Sequence, residues 1–242
     1  MTKKNSMFVI SAISILLMIS LSISPVSAMS SSMSGMSGMS HTTKACHGKP
    51  TKNSNWSNCD MRYMHLEFMD LSGINLSGAN MQGMRLYATN LSGANLAGAN
   101  LQYANLSYAN LSGANLLGAN LKHIDFYHAN LSQANLKNAD FTGSRFPTVD
   151  FSDANLSGAN FSGTDSQLCN FQNAMLSNAN FYQASLLGDD FYGADMTNAN
   201  LNNANFGAGG KMADTNLTGA NVGGLNTAGA DLSCYGNPIC RK

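Results

Sequence analysis

Large apolar residues recur at every fifth position over residues 91–121, LSGANLAGANLQYANLSYANLSGANLLGANL: Leu91, Leu96, Leu101, Leu106, Leu111, Leu116 and Leu121 form one column. The alanines at 94, 99, 104, 109, 114 and 119 form a second column, two places before the next leucine, with asparagine between. The unit is therefore Ala, Asn or Asp, a large apolar centre, and two variable residues. Its apolar spacing alternates two and three. A helix needs three and four, and a regular half-buried strand needs strict two. Two inward side chains across one outward residue describe a very short strand, and the two variable residues then turn a corner. Repetition predicts a climbing coil, a β-solenoid in which each coil buries the interior of its neighbours. Coils of this kind rise by one strand spacing, roughly 4.8 Å.

The residue types suit this design. Alanine and leucine share a narrow interior at high packing density. Asparagine and aspartate favour tight turns because their side chains bond nearby backbone. Glycine at the second variable place, as at Gly93 and Gly113, fits a tight corner. Centres continue in unbroken register from Met61 to Phe206, and from Phe126 onward many are phenylalanine, which predicts a phenylalanine stack in the C-terminal half. Ser166, a polar centre, and Asp189, in the small interior column, break the pattern; Ser166 is expected to mark a local defect or a widened corner. GAGGK at 207–211 replaces a pentapeptide and shifts the register by one. Centres resume at Met212, Leu217, Val222, Thr227 and Leu232, a weaker final stretch over 212–233.

This A(D/N)LXX grammar resembles that of the pentapeptide repeat proteins. The resemblance spans about three quarters of the chain. It implies an all-β fold, a right-handed quadrilateral β-helix solenoid with four pentapeptides per coil. It does not imply a function, because function lives in sites grafted onto folds.

Four pentapeptides per coil would stack residues twenty apart. The Asn/Asp place is broken at His65, Arg85, Arg145, Met175 and Ser185, and four of these five differ by multiples of twenty. Sorted this way, two faces carry mainly serine, glycine and alanine. A third, here the second face, has centres at Leu66, Leu86, Leu106, Phe126 and Phe146, and turns His65, Glu67, Phe68, Arg85, Tyr87, Tyr108, Tyr127, His128 and Arg145 outward. The preceding first face, centred on Met61, Met81, Leu101 and Leu121, adds Arg62, Tyr63, Tyr103, Lys122 and His123. Tyr103 is expected one coil below His123, and Tyr108 one coil below His128. Tyrosine and arginine often anchor interfaces, so this aromatic and basic strip is the candidate binding site: Arg62, Tyr63, Phe68, Arg85, Tyr87, Tyr103, Tyr108, Lys122, His123, Tyr127, His128 and Arg145. The partner is expected to be a protein or a surface glycan, with self-association possible.

The flanks add an address and two caps. Residues 1–28 read as a secretory signal peptide: Lys3 and Lys4, an apolar run from Met7 to Leu21, and Val26-Ser27-Ala28, with cleavage expected after Ala28. The run is short for a membrane span, so no stable anchor is expected after processing. Residues 29–45 form a Met/Ser/Gly-rich linker. Its Met33, Met36, Met39 and His41, followed by Cys46 and His47, are soft donors of the type that suits Cu(I), the alternative function. Residues 46–60 are read as an N-terminal cap and 234–242 as a C-terminal cap, closed by disulfides Cys46–Cys59 and Cys234–Cys240, which export permits. A zinc site from His41, Cys46, His47 and Cys59 is the competing reading, without a standard ligand spacing. Cys169 stands in the alanine column and is expected to pack as a small hydrophobe.

Charge narrows the field. Lys+Arg and Asp+Glu are 13 each; without Lys3 and Lys4 the balance is about −2. That excludes a basic nucleic-acid surface, and it does not suit the DNA mimicry of some members of the family, which needs a strongly acidic rod. No nucleophile elbow, phosphate loop or paired metal-ligand histidine motif is present. The expectation is a secreted, periplasmic or cell-envelope protein, not an enzyme, without cofactor.

Overall fold

The computed structural model describes residues 46–240, apart from residue 208. They form an all-β, right-handed, four-sided β-helix. From residue 55 to residue 185 each Asn/Asp place makes a parallel bridge to the residue twenty positions on: Asn75 to Asn95, Asn95 to Asn115, Asn115 to Asn135. Twenty residues are four pentapeptides, one per side. The sides are so short that only β1 (Asp165–Gln167) and β2 (Ser185–Leu187) reach three residues, and these pair in parallel with Ser166 beside Leu186.

One unit shows how the chain satisfies its backbone without long strands. The amide of Leu91 donates to Asn110 O at 2.7 Å in the next coil, and that of Asn95 donates to Ile74 O at 2.9 Å in the previous one. The amide of Ala94 closes the corner on Leu91 O at 3.0 Å. The residue before it, Gly93, has φ +62°. L side chains meet steric resistance there, which is why glycine and asparagine dominate this place. Most outward asparagines accept the amide two residues on, as Asn115 does from Leu117 at 3.3 Å. Many also donate their amide to the Asn or Asp twenty before: Asn115 to Asn95 at 3.2 Å, Asn135 to Asn115 at 3.0 Å, Asn170 to Asp150 at 3.0 Å.

The two inward columns are buried. In the C-terminal half Phe141, Phe161 and Phe181 stack with centroids 4.6 and 4.7 Å apart and rings within 7° of parallel. Phe151, Phe171 and Phe191 form a second column at 4.9 and 4.6 Å. The columns meet edge to face, Phe161 to Phe171 at 6.0 Å and 84°. Both are favoured arrangements for the ring quadrupole.

Several particulars differ from the sequence reading. The solenoid starts inside the segment read as a cap: Asn55 and Asp60 already bridge to Asn75 and Asn80, Trp56 is a buried centre, and Cys59 fills the alanine column. The apolar grammar is met there by Trp and Cys in place of Leu and Ala. Cys59 is joined to Cys46, and Cys234 to Cys240. The first pairing removes both thiolates from the zinc alternative. Met33, Met36, Met39 and His41 lie outside the described residues, as do the leader and linker. Among the described residues no group of three or more His, Cys, Asp or Glu is placed to hold a metal ion, and no helix is long and apolar enough to cross a membrane.

Cys169 is a free thiol buried in the core, as expected, and its Sγ also donates to Phe146 O at 2.6 Å. Ser166 does open its corner. The amide of Cys169, which would close the turn, donates to Asp189 Oδ1 at 2.9 Å instead. Past Gly207 the bridge offset becomes twenty-one, Asp190 to Lys211 and Asn205 to Asn226, as one extra residue is absorbed. Val222 and Thr227 are only partly buried, whereas Met212 and Leu217 are fully enclosed.

Candidate functional site

The fold brings the candidate residues of the second face into one ladder. Phe68 meets Tyr87 edge to face at 5.4 Å, Tyr87 meets Tyr108 at 5.4 Å, and Tyr108 meets Tyr127 at 5.5 Å. Tyr108 also lies 5.3 Å from His128 in the next coil. On the first face Tyr103 and His123 stack at 5.3 Å, within 9° of parallel. Tyr63 stands apart, its ring over Gly83. All these rings remain accessible, from 37% at Tyr87 to 75% at Phe68. Loss of solvent around the ring, with the neighbouring Tyr127 and Tyr87 adding to it, lifts the Tyr108 phenol above its ordinary value.

The backbone under these rings is unusual. Tyr63, Phe68, Tyr103, Tyr108, His123 and His128 all occupy the left-handed corner place, with φ between 54° and 62°. Elsewhere that place is held mostly by Gly, Asn, Gln or Asp. A bulky residue there is a genuine outlier, and such strain costs of order 1–3 kcal/mol per residue. Among the described residues every aromatic or imidazole ring in this conformation lies on these two faces between residues 63 and 128.

The basic half of the strip is largely neutralised. Arg62 grips Asp60 with Nε at 2.9 Å and Nη2 at 2.7 Å, and this bonding holds the Asp60 carboxyl below its ordinary range. Lys122 Nζ reaches Asp140 at 3.0 Å, and Arg145 Nε reaches Asp165 at 3.3 Å. His65 lies 3.7 Å from Glu67, and the His128 ring bonds Thr148 Oγ1 at 2.7 Å. Arg85 is exposed and makes none of the ion pairs seen among the described residues. The strip is aromatic with internally balanced charge, and Arg85 is its exception. Sequence pairing missed this because Asp60, Asp140 and Asp165 sit in the Asn/Asp column, where they read as turn formers.

A shallow hollow of about 420 Å³ interrupts the ladder, lined by His123, Ile124, Asp125, Tyr127, Gly143, Arg145 and Pro147. Its cause is local. Ser144 stands in the alanine column, donates to Leu121 O at 2.7 Å, and accepts the amide of Ile124 at 3.1 Å. A side chain is thus inserted where Ile124 would close its own corner. The neighbouring inter-coil bonds stretch: His123 to Thr142 O is 3.2 Å, Asp125 to Ala104 O 3.3 Å, and Phe126 to Arg145 O 3.4 Å, against 2.7 Å for Leu131 to Asp150 O on another side. The hollow lies open to solvent. The second face also continues past Arg145, through Pro147 and the exposed Leu168 to the half-buried Leu187. Carrying the twenty-residue sorting beyond position 145 would have found them.

Comparison with known proteins places the fold. The profile of the family described as Pentapeptide repeats matches in eight copies, over residues 54–93, 79–118, 94–133, 104–143, 150–188 and 169–207. A search among curated proteins finds no match. Similar solved structures include HetL from the cyanobacterium Nostoc sp. strain PCC 7120, a pentapeptide repeat protein involved in heterocyst differentiation regulation. It is 26% identical over 72% of this chain and 89% of its own, with a TM-score of 0.38. QnrB1, a plasmid-mediated fluoroquinolone resistance protein, is 18% identical over 76% of this chain and 89% of its own, with a TM-score of 0.35. A pentapeptide repeat protein of the Arabidopsis thaliana thylakoid lumen is 25% identical over 47% of this chain and 69% of its own, with a TM-score of 0.23.

Proposed function

This chain belongs to the pentapeptide repeat family, and on that footing we propose that it is an exported, non-enzymatic scaffold that binds a protein partner through the aromatic ladder of its first two faces. One observation carries the reading. Six rings are held in a strained corner conformation with their side chains turned to solvent, where glycine serves at neighbouring corners. Strain of this kind persists where something other than stability is being served. A rigid wall presents the rings without an ordering cost on binding, and tyrosines are favoured hot-spot anchors. The balanced charge suits a partner met through rings and hydrogen bonds more than one drawn by a long-range field. Export is supported by the leader-like N-terminus and by two disulfides closing the ends.

The test is a triple variant, Phe68→Gly, Tyr103→Gly and Tyr108→Gly, in the full chain. Glycine relieves about 1–2 kcal/mol of left-handed strain per site, while each lost ring pair gives up about 0.5–1.5 kcal/mol. Glycine also loosens the unfolded chain. The net change in stability is expected to stay within about 1 kcal/mol. Crosslinking and capture from the native extracellular and envelope fractions should recover a protein with the unaltered chain and lose it with the variant. Equal capture by both overturns the assignment of the face. Capture of glycan in place of protein overturns the partner class.

A further inference from the structure

Among the described residues one carboxyl lies in the solenoid interior: Asp189, fully buried in the small column that alanine usually fills. Its Oδ1 accepts the amide of Cys169 at 2.9 Å. Its Oδ2 is hydrogen-bonded to Ser166 Oγ, and that same Ser166 Oγ lies 3.1 Å from the backbone oxygen of Ser185. A hydroxyl has one proton to give. Were Asp189 a carboxylate, Ser166 could serve it or Ser185 O, and the other contact would set two buried oxygens together with no proton between them. A proton on Asp189 resolves the conflict. Oδ2–H then donates to Ser166 Oγ, Ser166 Oγ–H donates to Ser185 O, and Oδ1 keeps the Cys169 amide.

We propose that Asp189 is carried as the neutral acid in the folded protein, so that the Ser166–Asp189–Cys169 seam is a proton-operated latch between two successive coils. No cation faces Asp189 in this seam. Asp165 on β1 is the other carboxylate whose charge acts on Asp189, and it is paired with Arg145 outside. The Cys169 thiol is buried, with its Sγ on Phe146 O. Asp190, next in the chain, is turned out to Lys211 and Gln172, each at 3.0 Å. Burial is the largest influence on Asp189 and outweighs the bonds from Ser166 and Cys169, pushing its pKa up from 3.8 to about 7.

The sign follows by linkage. The unfolded chain releases this proton near 3.8 and the folded chain near 7. The folded state therefore holds the extra proton between those values. The latch is fully closed below about pH 4, weakens as pH rises, and contributes nothing above about pH 7. It is independent of the reading of the outer face.

The test is carbon NMR of the Asp189 side-chain carboxyl across pH 3–9 in the full chain, with amide exchange at Cys169 beside it. The carboxyl is expected to titrate with a midpoint above pH 6. Protection of the Cys169 amide, corrected for intrinsic rates, is expected to fall by up to ~1000-fold from pH 4 to pH 8, since each unit of pKa difference is worth tenfold. Asp189→Asn, whose amide mimics the neutral acid toward both Cys169 and Ser166, should hold that protection constant. A carboxyl midpoint below pH 6, or pH-independent protection in the unaltered protein, overturns the proposal. The titration of the unaltered protein decides the matter even if Asp189→Asn fails to fold.

Discussion

Phe161→Ala is expected to lower the stability of the solenoid by about 4 kcal/mol, the usual scale for emptying a buried phenylalanine site. Phe161 is fully enclosed. It is the middle ring of a parallel stack, 4.6 Å from Phe141 and 4.7 Å from Phe181, and meets Phe151 and Phe171 edge-on at 6.1 and 6.0 Å. Ring contacts are therefore lost on several sides at once. The coils cannot close the gap, because their spacing is held by inter-coil bonds such as Phe161 N to Asn180 O at 2.7 Å. Phe161→Leu should cost much less, about 1 kcal/mol, since leucine fills the same column at Leu101 and Leu121 and leaves a smaller void. Urea denaturation read by circular dichroism distinguishes the two. Equal losses for both variants would mean that the ring contacts, and not the bulk that leucine keeps, carry the stack. The contrast with the exposed ring variants is diagnostic: interior rings hold the rod together, whereas corner rings burden it.

Cutting the N-terminal disulfide with Cys46→Ser should destabilise the first coil by about 3 kcal/mol, the chain-entropy value for a loop of this size. The bridge spans a separation of 13 residues and ties Cys59, a buried member of the small column, to the chain ahead of it. In a solenoid each coil contacts only its neighbours, so the loss should stay local. Trp56, the single tryptophan, sits buried in that coil and donates its backbone amide to Asn75 O at 2.7 Å. Its fluorescence should shift red and melt earlier, while exchange at the amides of Leu101 and Leu106 stays unchanged. Global melting at one lowered midpoint, seen equally by both probes, would overturn the view that the end coil frays alone.

The sequence by itself determined the coil. A five-residue grammar with inward residues two and three apart admits only a short side and a corner, and the offset of twenty at the broken Asn/Asp places anticipated the bridges that form. The phenylalanine columns and the contacts of Tyr103 with His123 and Tyr108 with His128 followed, because parallel in-register coils place residue i on residue i+20. The start of the solenoid at Asn55 was missed because Trp56 and Cys59 fill the inward columns without Leu or Ala.

Only the tertiary structure decided what depends on the direction and reach of individual side chains. Thr89, Ser144 and Cys169 each bond the backbone oxygen of the residue twenty-three before it, and Asp189 likewise meets Ser166; that offset crosses a corner and belongs to no column of the repeat. Lys122 meets Asp140 across eighteen residues and Arg145 meets Asp165 across twenty, while Arg85 stays unpaired, because long flexible side chains choose among neighbours at similar distances. The physical reason is the same in each case. Periodicity dictates where backbones stack, since inter-coil hydrogen bonds allow one register. It leaves open which polar group, inside or outside, ends within bonding distance of which other.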